Sequence, residues 1–401
     1  MIDCRGDFPI LATKVHGKRL AYLDSAATAQ KPQVVIDAVN DMHKVCNANI
    51  HRGVHYLAEQ MTAQYEEARA KTAQYIGARS WREVIFTAGA TSSLNLAASS
   101  LGEMLLTKGD NVVLSRMEHH SNIVPWQMQC VRRGAELRVM ELDDCGDLIF
   151  DESIIDERTK IVAITQASNV LGTIPSLEPI VARAHALGAA VVVDGCQGVV
   201  HSGVDVDALG CDFYAFSGHK LYAPTGIGVL YGRQEILEKM EPWQGGGDMI
   251  ASVSLSRGST WGELPLKFEA GTPNYIGAIG LGVAIDYLGQ WAVADVASHE
   301  KHLYDLFAQG LMRIDGAKIY GKTAAKSPIC SFTIEGTSPV DLAMIVDKMG
   351  VALRSGQLCA EPTMDRYAVR TMCRASMAIY NNDQDCAQAI DAIERATKML
   401  R

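Results

Sequence analysis

The sequence predicts an α/β fold in which a large, mostly parallel sheet carries helices on both faces and is followed by a smaller α+β unit. Two observations point there. Between residues 83 and 232, short apolar runs alternate with helix-patterned stretches, the arrangement of parallel strands joined by crossover helices. From Ile276 onward the pattern changes to a long helical stretch and then to fewer apolar runs interleaved with helices.

In chain order, the strands of the first unit are expected at Glu83 to Thr87, Asn111 to Ser115, Glu136 to Leu142, Ile161 to Ala167, Ala189 to Asp194, Phe213 to Phe216 and Ile227 to Tyr231. Among the helices between them, Ser176 to Leu187 has Ser176 placed to cap its start and Gly188 to stop it. In the second unit, Ile329 to Ile334, Val351 to Arg354 and Met372 to Ile379 are the extended segments, and a last helix reaches Arg401. Residues 18–285 are expected to form the large domain, and 1–17 with 286–401 the small one. No repeat, low-complexity tract or long linker intervenes, so the active site is expected where the two pack together.

The 401-residue chain is 48% hydrophobic and 21% charged, a balance suited to a large folded core. A formal net charge of −9 argues against a generic nucleic-acid or anionic-membrane binder, which needs a basic surface. The longest apolar runs, such as Ala189 to Val193, are strand-sized, and no apolar h-region follows Met1-Ile2-Asp3-Cys4-Arg5, so a cytoplasmic protein is expected. Ten cysteines without a C-x-x-C pair are expected to be mostly reduced thiols.

Four local patterns carry chemistry. Ser217-Gly218-His219-Lys220 follows the apolar strand Phe213 to Phe216, where a desolvated lysine amine can react with a carbonyl. Asp194 ends the run Val191-Val192-Val193, a place from which a carboxylate can hold a pyridine nitrogen protonated. Gly89-Ala90-Thr91-Ser92 opens a helix after a strand, so its backbone N–H groups and the Thr91 hydroxyl can hold a phosphate. Met117 to Asn122 places His119 and His120 just after a strand end, where an imidazole can lie flat on a ring. The competing use of these two with His51 and His55 is zinc binding, since His51 and His55 have helical i, i+4 spacing, yet no H-E-x-x-H frame is present.

With these residues in view, the chain resembles the SUF-type (group II) cysteine desulfurases of the class V aminotransferase group, fold-type I pyridoxal-phosphate (PLP) enzymes. The resemblance rests on Leu23 to Ala27, His51 to His55, Glu118 to Trp126, Ser168 to Gly172, Ser217 to Lys220, Gly245 to Gly247, Glu269 to Asn274 and Cys373 to Ser376, in that order along nearly the whole chain. It implies the PLP-dependent transferase fold, conversion of L-cysteine to L-alanine, and a persulfide on Cys359 that passes to an acceptor of SufE or SufU type for iron–sulfur cluster assembly. Selenocysteine lyase activity is a further implication.

The resemblance also implies individual roles. Lys220 would bind PLP covalently and move substrate protons, Asp194 would pair with the ring nitrogen, Gln197 with the ring oxygen, and His119 would stack. Thr91, Ser217 and His219 would hold the phosphate, joined by Thr272 from the second subunit of a homodimer. Arg374 would bind the substrate carboxylate with help from Asn169, while Arg354, His51 and Ala27 line the pocket; no metal is implied. A guanidinium suits that task because it grips a carboxylate with two parallel hydrogen bonds. Cys196 and Cys373 flank matched positions and are expected to be packing residues. The chain departs from the family pattern at Ala88 and Ser92, where arginine and glutamate are usual, and at Leu358, where a histidine usually precedes the cysteine. Loss of that polar neighbour predicts slow turnover without an acceptor. Alternatives are another class V PLP enzyme, such as a kynureninase-like hydrolase or an epimerase, and a non-catalytic scaffold of the same fold.

Overall fold

The computed structural model describes all 401 residues. Seven strands form the main sheet: β1 (Val84–Thr87), β2 (Asn111–Ser115), β3 (Glu136–Met140), β4 (Thr159–Thr165), β5 (Ala190–Asp194), β6 (Phe213–Ser217) and β7 (Gly228–Gly232). Their order is β1-β7-β6-β5-β4-β2-β3, with β7 antiparallel to both neighbours and every other pairing parallel. The chain returns from β6 to β7 through a short turn closed by the Gly218 N–H on the Ile227 carbonyl (2.9 Å), which leaves no room for a crossover helix and forces the reversal.

Side chains of successive strand residues enter opposite layers. Val112, Leu114, Ile161, Ala163, Val192 and Ala215 join one apolar cluster, whereas Val113, Val162, Ile164, Val191, Val193 and Phe216 join the other. Burial on both faces explains why these strands read as continuous apolar runs.

The second sheet is antiparallel throughout, with strands β8 (Ala317–Tyr320), β9 (Ile329–Ile334), β10 (Arg354–Gly356) and β11 (Met372–Ser376) in the order β8-β9-β11-β10. Helices Val293–Leu311, Pro339–Asp347 and Asp383–Leu400 cover it through Leu303, Phe307, Leu342, Val346, Ala389 and Ile393. A short parallel pair joins Ala21–Tyr22 to Val351–Ala352, and Ala21 and Leu23 share the apolar cluster of this second sheet. No single helix is long and apolar enough to cross a membrane.

Several expected strands shift by one or two residues at their ends, and three expected elements differ for a definite physical reason. The helix expected from Ser176 runs Glu178–Ala186, and its cap position is Leu177 with no side-chain bond; Pro179 in its first turn sets the start instead. The stretch Val351 to Arg354 splits, because Val351–Ala352 pairs with Ala21–Tyr22 while Arg354–Gly356 belongs to the antiparallel sheet. The strand expected to reach Ile379 ends at Ser376, and the following turn is closed by the Ala378 N–H on Asn381 Oδ1 (2.9 Å).

Candidate active site

Thr165, Asp194 and Ser217 are the last residues of β4, β5 and β6 and line one cavity of about 420 Å³. A crevice outside the carboxyl ends of parallel strands is where open α/β sheets bind their ligands. Loops from the second sheet close the other side, bringing Arg354, Leu358, Cys359 and Arg374 to the same cavity.

At one end lies the start of helix Ala90–Leu105. Its cap residue, Gly89, offers no side-chain acceptor and has φ +155°, a backbone that favours glycine. A Cβ built on Gly228 would fall 2.4 Å from Gly89 Cα, so only a glycine in β7 lets the helix start sit this close to the sheet. The Ala90 N–H donates to Ser217 Oγ (2.8 Å), and the hydroxyls of Thr91 and Ser121 are bonded to each other (2.7 Å). His219 contacts Thr28 Oγ1 (3.2 Å); burial, then the charges of Lys220 and Lys31, push its imidazole down to about 4.

In the centre, Lys220 ends the turn Gly218–Lys220 that leaves β6. Asp194 is buried and its Oδ1 accepts the Cys196 N–H (3.0 Å). His119 Nδ1 accepts the Ser121 N–H (3.1 Å), which leaves the proton to Nε2. Burial, followed by the Lys220 charge, lowers this imidazole to about 4, so it is neutral near pH 7. Gln197 donates from Nε2 to the Ala26 carbonyl (3.0 Å) and lines the cavity with Ala27.

At the far end, Arg374 in β11 is 3% exposed. Its Nη1 donates to the Asn169 carbonyl (2.9 Å) and its Nη2 to Asp24 Oδ1 (3.2 Å), whereas Nε is buried without a partner. Burial disfavours its charge, and Asp24 opposes that effect. Arg354 stands directly opposite Arg374 in the β10/β11 register and pairs with Asp24 Oδ2 (2.9 Å).

Cys359 is exposed and occupies a tight turn closed by the Ala360 N–H on the Gln357 carbonyl (3.1 Å). Both central residues have positive φ, +56° at Leu358 and +54° at Cys359. Asn and Gly are the usual occupants of such a turn, and each other residue forced there costs about 1–3 kcal/mol. The backbone is held from outside: Asn169 Nδ2 donates to the Leu358 carbonyl (2.8 Å) and the His120 N–H to the Cys359 carbonyl (2.8 Å).

Most residues singled out in the sequence therefore meet at one cavity: Thr91, His119, Asn169, Asp194, Gln197, Ser217, His219, Lys220, Arg354, Cys359, Arg374 and Ala27 all line it. His51 and Thr272 do not. His51 bonds Glu66 Oε1 through Nε2 (2.9 Å), and Thr272 is exposed. The helical spacing of His51 and His55 is not realised either, because His55 is the cap of helix Tyr56–Tyr75. No group of three or more His, Cys, Asp or Glu side chains is arranged to hold a metal. Cys196 and Cys373 are buried, and burial pushes both thiols up to about 12; Cys196 also touches the cavity.

Asp24 and Glu118 carry no role in the sequence reading, and His120 enters it only as a candidate for the ring face or for zinc; no local signal marks the contacts that these three make. Glu118 is fully buried and bonded to Thr165, which lines the cavity. Its carboxylate accepts from Asn122 Nδ2 (2.7 Å), the Thr165 N–H (2.9 Å) and the Ser115 hydroxyl, and burial pushes it up to about 8.

This donor set fits the PLP expected from the sequence. A helix start without a side-chain cap, flanked by hydroxyls, suits a phosphate; a buried carboxylate suits a ring N–H; a neutral imidazole suits a ring face; and a strand-end amine suits an aldehyde.

A buried carboxylate, an amine and an uncapped helix start gathered at the strand ends of an α/β sheet are what this class requires, and the family description Aminotransferase class-V matches residues 21–388. The chain belongs to this class V aminotransferase family. It is 48% identical over 398 residues to a cysteine desulfurase of Klebsiella pneumoniae (strain 342), covering 99% of this chain and 98% of that one. A cysteine desulfurase of Dickeya dadantii (strain 3937) is 46% identical, covering 99% and 96%. Among solved structures, the Escherichia coli cysteine desulfurase CsdA in an S-sulfonic acid form superposes with a TM-score of 0.91 at 38% identity, over 99% of this chain and 98% of that one. The apo cysteine desulfurase of Thermococcus onnurineus NA1 gives 0.92 at 36% identity, over 98% and 97%.

Proposed function

We propose that this chain is a PLP-dependent cysteine desulfurase that carries sulfur as a persulfide on Cys359 and hands it to an acceptor protein for iron–sulfur cluster assembly. The observation that carries this reading is the convergence on one cavity of the Lys220 amine, the buried Arg374 with its unpartnered Nε, and the exposed Cys359 thiol.

When bound, PLP supplies an electron sink for the charge left as the substrate loses its Cα proton. The residues around it would divide the remaining work. Thr91, Ser217, His219 and the Ala90 helix start would hold the phosphate, Asp194 the ring nitrogen, Gln197 the ring oxygen, and His119 the ring face. Arg374 would take the carboxylate of L-cysteine and fix the direction of its amine. Lys220 would hold the cofactor and move the proton at Cα.

The Cys359 thiolate would then attack the substrate sulfur. Its S–S bond forms as the Cβ–S bond breaks, and Cβ takes a proton to give alanine. Cysteine plus the enzyme thiol becomes alanine plus the enzyme persulfide, with no external oxidant. An exposed thiol on a surface turn is accessible to an acceptor of SufE or SufU type. Selenocysteine, whose carbon–selenium bond is weaker, would be a second substrate for the same pocket.

Measuring alanine and sulfide from L-cysteine, with and without a reductant, tests the reading. Stoichiometric alanine with a trapped persulfide, followed by sulfide on adding reductant, is the expected result. Alanine without any persulfide would favour another class V chemistry that needs no thiol, and neither product would sink the assignment.

A further inference from the structure

We infer that His120 is a positioning residue for sulfur transfer, its ring bracing the turn that carries Cys359; this rests on the desulfurase reading above. His120 touches that turn twice. Its N–H donates to the Cys359 carbonyl (2.8 Å), and its Nε2 accepts the N–H of Glu361 (3.1 Å), so the two bonds straddle Ala360.

The second bond fills a structural need. Glu361 opens the short helix Glu361–Arg366, whose cap residue Ala360 has no side-chain acceptor, and an uncapped first turn frays readily. The imidazole of His120 stands in for the missing cap. It can do so only with Nε2 unprotonated and the hydrogen on Nδ1.

Leu358 and Cys359 both lie at positive φ, which side-chain-bearing residues avoid, so the turn stays in place only while its neighbours hold it. Asn169 grips the first carbonyl of the pair and the His120 backbone the second, while the His120 ring fixes the chain just beyond. With the ring removed, the segment from Cys359 to Glu361 can relax toward ordinary φ values and carry the thiol away from the cavity. His120 directly follows His119, which faces the cofactor cavity, so one strand-end segment sets both the imidazole at the ring site and the reach of the nucleophile.

The test compares His120→Ala with His120→Gln in the PLP-loaded enzyme. Glutamine keeps a side-chain oxygen able to accept the Glu361 N–H; both variants keep the backbone bond. For His120→Ala we expect unchanged cofactor absorbance, an unchanged spectral response to L-cysteine and KM within about 2-fold. Its kcat for alanine should fall about 10-fold or more, the scale of a misplaced reacting group. His120→Gln should recover a substantial part of kcat, and the rate of Cys359 alkylation by iodoacetamide should differ from wild type only in the alanine variant. Wild-type kcat in His120→Ala, loss of cofactor or substrate binding in step with kcat, or no recovery with glutamine would each overturn the inference. If the wild type itself made no alanine, the desulfurase reading would fall, while the alkylation rates would still show whether His120 holds the turn.

Discussion

Asp24 Oδ1 accepts from Arg374 Nη2 at 3.2 Å, and the other oxygen of the same carboxylate lies 2.9 Å from Arg354 Nη2. One acid thus holds two guanidiniums that face each other directly across β10 and β11. Like charges opposite one another destabilise a strand pair, and Asp24, bonded to both, offsets that repulsion. It also leaves Arg374 Nε, and no other nitrogen of that side chain, unpartnered.

Arg374→Ala should therefore raise KM for L-cysteine and lower kcat as well, because a substrate held without its carboxylate contact is misdirected. A charge-assisted hydrogen bond contributes about 1.5–3 kcal/mol, which corresponds to a loss of about 10–100-fold in kcat/KM. Unchanged steady-state kinetics would place the carboxylate elsewhere.

Lys220→Ala should abolish turnover while PLP remains held without a covalent bond, since the helix start, Asp194 and His119 do not depend on the amine. Borohydride treatment of the wild type followed by peptide mapping checks the assignment. Label on any lysine other than Lys220 would remove it from the site.

In Cys359→Ser the spectral change on adding L-cysteine should survive, but alanine formation should drop to background because serine cannot form a persulfide. Selenocysteine is the useful second substrate here, since continued alanine release from it would show the rest of the site intact. Normal alanine yield from L-cysteine would refute the role of this thiol.

Glu118 gives a pH-dependent stability. Burial raises its carboxyl from the ordinary 4.5 to about 8 in the folded chain, so between these values the folded state keeps a proton that the unfolded chain has lost. Its contribution is full below 4.5, declines as pH rises through that window and is lost above about 8. Glu118→Gln should flatten the dependence, narrowing the difference between urea midpoints measured near pH 5 and above about pH 8. Equal slopes for the two proteins would mean that Glu118 is ionised throughout.

His51 and Thr272 lie off the cavity wall of the single chain, and Thr272 is exposed. If the family's arrangement holds, a second copy brings Thr272 to the phosphate end. Light scattering on active enzyme should give a homodimer, and Thr272→Ala should weaken PLP retention. A strictly monomeric active species would exclude the arrangement.

The strands of the main sheet were readable from the sequence because burial on both faces leaves continuous runs such as Val191 to Val193. Lys220 and Asp194 were readable because each sits at the end of such a run. Val351 to Arg354 was misread for a different reason: a single extended stretch serves two sheets, and nothing local records the change of partner at Leu353. Asp24 and His120 gained their roles only from contacts 350 and 241 residues away along the chain, respectively, which no window of sequence contains.

The parallel pairing of Ala21–Tyr22 with Val351–Ala352 has a consequence in time as well as space. A ribosome adding about 5–20 residues per second needs roughly 15–65 s to travel from one partner to the other. Throughout that interval the main sheet can form and Gln197 can already hold the Ala26 carbonyl, but the second anchor of this segment, the Ala26 N–H on Ser376 Oγ (2.9 Å), is still missing. Completion of the Arg374 and Cys359 end of the cavity, and not of the residues at 90–220 that would hold PLP, is thereby deferred until β10 and β11 are made. Substrate recognition, which needs Arg374, would then mature after the cofactor site and not together with it.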